Sequence, residues 1–239
     1  MKTIYRKLIF ISLIFYLAIP GHSFADSSPS KCALNFNNGM YDKAFEQCSE
    51  LASEGDLDAA WRLSRMYYLG YGVKKDEKKA AEIAHFAASR GHAGSQRDLA
   101  SYFEAGSGVD QSYNNAMYWL REAAKQGDAH AMFEIGTMYD EARGVRKDYA
   151  AAFRWYHAAA EQGHARAQWY MSIMFEKGHG VQRSAELAYM WAIIAEKNGA
   201  TMAKYSKKKN EDRISVQAKI DAVRAAERCM LTKYRDCGW

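Results

Sequence analysis

Five glycines, Gly55, Gly91, Gly127, Gly163 and Gly199, stand 36 residues apart, and that period is the strongest constraint on what this chain can fold into. A second register keeps the same step in Gly72-Val73, Gly108-Val109, Gly144-Val145 and Gly180-Val181. So do Leu63, Leu99, Ile135 and Met171, the aromatics Tyr67, Phe103, Tyr139 and Phe175, the alanines Ala80, Ala116, Ala152 and Ala188, and the set Ile83, Trp119, Trp155 and Trp191. One such unit cannot bury its own apolar face, so the copies must stack into a quasi-one-dimensional core.

Within a unit, Leu63, Met66 and Tyr67 lie three to four residues apart, as do Ala80, Ile83, Ala84, Ala87 and Ala88, which is the spacing of two amphipathic helices. Asp76, Ser112, Asp148 and Ser184 each stand four residues before the repeated alanine of the second helix, where a short polar side chain caps the orphan amides. The glycines of the first series fall just past these helices, at the position where a left-handed residue ends a helix.

The spacing G-x-x-A-x-A…L-G-x-x-Y…G-x-G-V…D…A…W…A-A…G resembles the Sel-1-like repeat (SLR) family, relatives of the tetratricopeptide repeats. The third unit carries it most fully, in Gly127, Ala129, Ala131, Ile135-Gly136, Tyr139, Gly144-Val145, Asp148, Ala152, Trp155 and Ala159-Ala160. Ala142 departs from glycine, and Ser64, Ala100 and Ser172 depart from Gly136. The resemblance implies an all-α fold, an α/α solenoid of stacked antiparallel hairpins in a right-handed superhelix, and a role as scaffold or adaptor for protein–protein contacts through a concave groove.

The ends read differently. Lys2, Arg6 and Lys7 precede the apolar run 8–19, and Pro20-Gly21 leads to Ser23-Phe24-Ala25, the pattern of a secretory signal peptide cleaved after Ala25. We therefore expect a signal peptide at 1–25 and a linker with a capping hairpin at 26–54. Four repeats follow at 55–90, 91–126, 127–162 and 163–198 (together 55–198), then basic capping helices at 199–239. Residues 197–239 hold 11 Lys/Arg against 5 Asp/Glu, so an acidic body carries a basic tail, read as a solvated helix face or an attachment to an anionic partner. Val216, Ile220, Val223 and Met230 mark one face of the last helix.

The chain has 4 Cys. Cys32 and Cys48 flank a turn near residue 40 at equal distance, and Cys229 and Cys237 are eight apart. An even count in an exported chain favours disulfides, and of the three connectivities we favour Cys32–Cys48 and Cys229–Cys237. Each would clip one end of the stack.

Chemistry is hard to find. His92 and His164 occupy the post-glycine turn position that Asp56 and Asp128 fill elsewhere, and His85, His130, His157 and His179 make no metal-ligand spacing. No metal, cofactor or catalytic residue is expected. Ser28-Pro-Ser-Lys31 and Ser206-Lys-Lys-Lys209 match S-x-x-K without its companion motifs. The resemblance leaves one alternative, a cell-wall or β-lactam binding or hydrolysing protein as linked to some cysteine-rich members, although this chain lacks a cysteine pair in every unit. Glu104, Asp140 and Glu176 recur at one position as a polar face.

The function expected is an exported, periplasmic or secreted, non-catalytic adaptor. Its partner would be another envelope or host protein, with no nucleic acid, no membrane span after cleavage, and a monomeric state. If the first helix of each unit lines the concave side, the recognition positions are Trp61, Arg62, Arg65, Arg97, Asp98, Phe133, Glu134, Trp169 and Tyr170, residue types that dominate binding hot spots. Of these, Arg62, Arg97 and Tyr170 are expected to be exposed, whereas Trp61, Phe133 and Trp169 fit packing between hairpins equally well.

Overall fold

A computed structural model describes residues 30–235 and 237, so the signal peptide expected at 1–25 lies outside the described residues. From Lys31 onward the chain forms one compact unit. A capping hairpin comes first, α1 (Lys31–Asn37) and α2 (Tyr41–Ser53). Four repeat hairpins follow: α3 (Leu57–Leu69) with α4 (Glu77–Ala88), α5 (Ala93–Ala105) with α6 (Tyr113–Lys125), α7 (Ala129–Glu141) with α8 (Tyr149–Glu161), and α9 (Ala165–Lys177) with α10 (Ala185–Lys197). The stack closes with α11 (Ala203–Glu211) and α12 (Val216–Leu231). Each helix packs on the next along the chain as far as α11, and α10 receives both α11 and α12. This is an all-helical solenoid.

Local chemistry sets the helix boundaries. The side chains of Asp76, Ser112, Asp148 and Ser184 accept from the amide three residues on, as expected of N-caps. The first helices α3, α5, α7 and α9 are capped in the same way by Asp56, His92, Asp128 and His164, the histidines accepting through Nδ1. Gly70, Gly106, Ala142 and Gly178 end these helices in the left-handed conformation. Of the turn glycines, Gly108 is needed for closeness as well, because a Cβ there would overlap the backbone of Glu77 in the preceding unit.

The core alternates small and large layers. Ala80, Ala87, Ala116, Ala123, Ala152, Ala159 and Ala188 are fully buried and let the helices approach, while Met66, Leu99, Ile135 and Met171 fill the space between hairpins. Each such large side chain contributes about 1.5–3 kcal/mol on burial.

The ends are clipped: Cys32 is joined to Cys48 and Cys229 to Cys237, with Cα–Cα separations of 5.0 and 4.4 Å. On α12 the packed face is not the one the apolar pattern marks. Ala222, Ala226 and Cys229 are buried, whereas Val216, Ile220 and Val223 are exposed. Small residues win the inner face because α10 already presents the bulky Tyr189, Trp191 and Ile194 to the same core.

Candidate functional site

The first helices α3, α5, α7 and α9 bring the nine expected recognition residues onto one face, but the structure uses several of them to join neighbouring units. Trp61 donates from Nε1 to Oδ2 of Asp98 at 2.8 Å, and Trp169 donates to Oγ of Ser206 at 2.9 Å. Both bonds span 37 residues, one period plus one, from a first helix to the next first-helix position; α11 thus takes the place of a fifth first helix. Phe133, at the same position in the third unit, is 1% exposed and packs against Tyr156 and Tyr170. It is core, the packing alternative that its spacing left open.

Arg62 is not exposed as expected. Its side chain is only 11% exposed, pairs with Asp58 at 2.5 Å and lies over the Trp61 ring, because the guanidinium completes the packing at the junction with the capping hairpin. Arg97 donates to Oδ2 of Asp128 at 2.7 Å while Oδ1 of that aspartate caps α7, so one carboxylate fastens two first helices. Arg97 and Tyr170 are both half-buried. Arg65 stacks over Trp61 and approaches Asp98 at 3.9 Å. Burial raises the Asp98 carboxyl above its usual pKa, with the Trp61 hydrogen bond and the Arg65 charge opposing it.

Between α5 and α7 the face opens into a cleft of about 330 Å³ floored by Ala100 and Leu120 and rimmed by Asp98, Ser101, His130 and Glu134. Glu104 at its edge pairs with Arg143, which also reaches Glu141 at 3.1 Å and Glu134 at 3.5 Å. Burial works against the Arg143 charge, but these carboxylates outweigh it and hold its pKa above the ordinary value. Ser101, Glu104, His130 and Arg143 were not among the expected recognition residues. The recurrence of Glu104 with Asp140 and Glu176 was the available signal.

Asp140 approaches the Tyr156 hydroxyl at 3.3 Å, and Glu176 receives Lys209 at 2.5 Å and Arg213 at 3.7 Å. The polar row therefore carries fastenings, between units at Glu104 and Glu176 and between the two helices of one unit at Asp140. Lys207 likewise pairs with Glu196, so three cations of the basic tail are spent on the acidic body of the same chain.

The histidines form a contact that no spacing announced. Nδ1 of His164 accepts from the Ala167 amide, which leaves its Nε2 to carry the proton, and that N–H faces Nδ1 of His130 at 3.1 Å. Burial, then His130 and Arg166, push the His164 pKa down to about 4. Burial likewise pushes Tyr102 up to about 12 and raises Tyr156 strongly. These perturbed groups owe their shifts first to packing inside the stack, not to charge partners converging in an open cleft. Among the described residues no three His, Cys, Asp or Glu side chains converge as a metal would require. No described helix is long and apolar enough to cross a membrane.

Comparison with known proteins accords with this geometry. The Sel1 repeat model matches residues 57–92, 93–128, 129–164 and 165–199. A structure of a protective antigen present in uropathogenic Escherichia coli strains, displaying an SLR fold, is similar with a TM-score of 0.71 at 24% identity over 80% of this chain. The chain spans 42% of that protein. A Sel1 repeat protein from Oxalobacter formigenes is similar with a TM-score of 0.63 at 29% identity, over 71% of this chain and 74% of the other. No curated protein matches. Four contiguous matched repeats cover more than half of the sequence, and the chain belongs to the Sel1 repeat family, a family of protein-interaction scaffolds.

Proposed function

We propose that this protein is an exported, non-catalytic adaptor that holds a segment of another envelope or host protein against its first-helix face, centred on the cleft between α5 and α7. The observation that carries this reading is the pre-arranged polar rim of that cleft. Asp98, Glu104 and Glu134 are held by Trp61, Arg65 and Arg143, so a partner meets fixed donors and acceptors around the apolar floor of Ala100 and Leu120. Preorganisation of this kind lowers the ordering cost of binding.

Two further observations support it. Both cystines belong to the oxidising conditions outside the cytosol. At the second S-x-x-K sequence, Ser206 is buried and accepts the Trp169 indole N–H while Lys209 is engaged by Glu176, so that pair does not resemble a nucleophile and its base.

The test is capture from an envelope extract on immobilised 26–239, with a Ser101→Arg, His130→Glu bait as control. Both substitutions change exposed rim residues; His130→Glu also removes the contact with His164, so Ser101→Arg alone, which leaves the joints between units intact, serves as a further control bait. A protein retained by the first bait and lost from the second supports the reading. Equal retention by both, or hydrolysis of a β-lactam reporter by the purified protein, counts against it.

A further inference from the structure

The second-helix side of the first unit differs from the others by a missing indole. At the position where the later units have Trp119, Trp155 and Trp191, the first has Ile83. In the second unit Trp119 lies edge-to-face with His85 at 5.8 Å and packs on the core that holds Ala88 and Leu99. One period earlier the residues matching His85, Ala88 and Leu99 are Ser49, Ala52 and Leu63. Both members of the aromatic pair have therefore shrunk at once, His to Ser and Trp to Ile. What remains is an apolar cleft of about 360 Å³, with Ser49 and Ser53 of α2 on one wall, Ile83 and Phe86 of α4 on the other, and Ala60 and Leu63 of α3 as the floor.

The rim has a charge. Asp42, Glu46 and Glu50 stand four residues apart on α2 and are exposed, and none of the three forms an ion pair among the described residues. At about 100° per residue, Ser49, Ser53, Asp42 and Glu46 fall within roughly 60° of one another around the helix axis. The acidic row therefore continues the wall of the cleft along α2. Across the cleft Lys79 is turned toward Glu82 of its own helix at 3.8 Å, which leaves the α2 carboxylates the less compensated side.

We propose that this cleft is a second docking site, which takes an aromatic side chain, an indole above all, from a partner protein segment with basic residues beside it. The repeat itself supplies the template for the occupant, since the same space one unit later is filled by the chain's own tryptophan. The unpaired carboxylates supply the preference for flanking Lys or Arg. The site opens between α2 and α4, away from the cleft between α5 and α7, and does not depend on the reading of that face.

The probe is a fluorescein-labelled peptide, Lys-Lys-Ala-Trp-Ala-Lys-Lys, titrated into the oxidised protein by anisotropy and followed at the Ile83 methyl by NMR. Saturable binding that shifts this methyl is expected. It should weaken at least about tenfold when alanine replaces the peptide's tryptophan, the loss typical of a buried aromatic anchor. Ile83→Trp, which fills the cleft from within, should weaken binding by at least as much without lowering the melting temperature. Should that variant misfold, Ser53→Arg blocks the mouth from an exposed position, and Glu46→Lys with Glu50→Lys tests the rim. Equal affinity for the two peptides, or full affinity in Ile83→Trp or Ser53→Arg, would overturn the proposal. Self-association of the wild type that Ile83→Trp abolishes would also overturn it, by giving the cleft to a second copy.

Discussion

Gly136 has no side chain because Tyr156 occupies the space: a Cβ on Gly136 would lie 2.6 Å from Cδ1 of the tyrosine ring. The same two positions are Ala100 with Leu120 in the preceding unit, and Ser64 with Ala84 and Ser172 with Ala192 in the outer ones. Size on the first helix falls as size on the second rises, so the hairpins keep one spacing with different fillings.

Gly136→Ala is therefore expected to destabilise the protein by about 1–3 kcal/mol through overpacking. Adding Tyr156→Leu recreates the Ala100–Leu120 combination and should recover part of the loss, with a coupling of at least about 0.5 kcal/mol in a double-mutant cycle. Additive effects in denaturant unfolding would show that the two residues do not share the space.

Ala142 ends α7 at φ 59°, where the other three first helices use Gly70, Gly106 and Gly178. A left-handed L-residue costs roughly 1–2 kcal/mol, partly offset by the greater chain entropy of glycine. Ala142→Gly should stabilise the fold by up to about 1 kcal/mol, read as a rise in urea midpoint with unchanged slope. A lower midpoint would place the strain elsewhere.

His164 is held neutral in the fold, with a pKa pushed down to about 4 from the ordinary 6.5 by burial and by His130 and Arg166. The unfolded chain then binds the extra proton first as the pH falls. The stabilisation is complete above about pH 6.5 and is lost as the pH drops toward 4. His164→Asn keeps a capping acceptor and removes the titration, so it should flatten the slope of unfolding free energy over that range. An unchanged slope would assign the titration to another group; burial also depresses His92 and His157.

Glu176 is nearly buried and takes both Lys209 of α11 and Arg213 just beyond it. Replacing it by Gln leaves two cations without their acceptor charge, a loss of about 1–3 kcal/mol for a charged hydrogen bond. Amide exchange in α11 should accelerate while α5 to α8 stay protected, as expected of a stack whose units hold only their neighbours. Uniform acceleration through the solenoid would contradict a local fastening.

The sequence by itself determined the repeating unit and where its helices begin and end. The 36-residue step, the caps Asp76, Ser112, Asp148 and Ser184, and the glycines that end helices are legible because each acts within one or two turns of its own helix. The cystine partners are close in sequence for the same reason. Which polar residues join neighbouring units was decided only by stacking. Trp61 with Asp98, Arg97 with Asp128, and His130 with His164 meet across 31 to 37 residues, where a one-dimensional pattern records equivalence of position but not contact. The basic tail is the clearest case. Its composition is plain in the sequence, yet only the docking of α11 on the last hairpin turns Lys207, Lys209 and Arg213 inward to Glu196 and Glu176. Burial then made fastenings of side chains whose type alone would suit a binding surface. Compensation of charge depends on distance in space, and that distance exists only once the units are stacked.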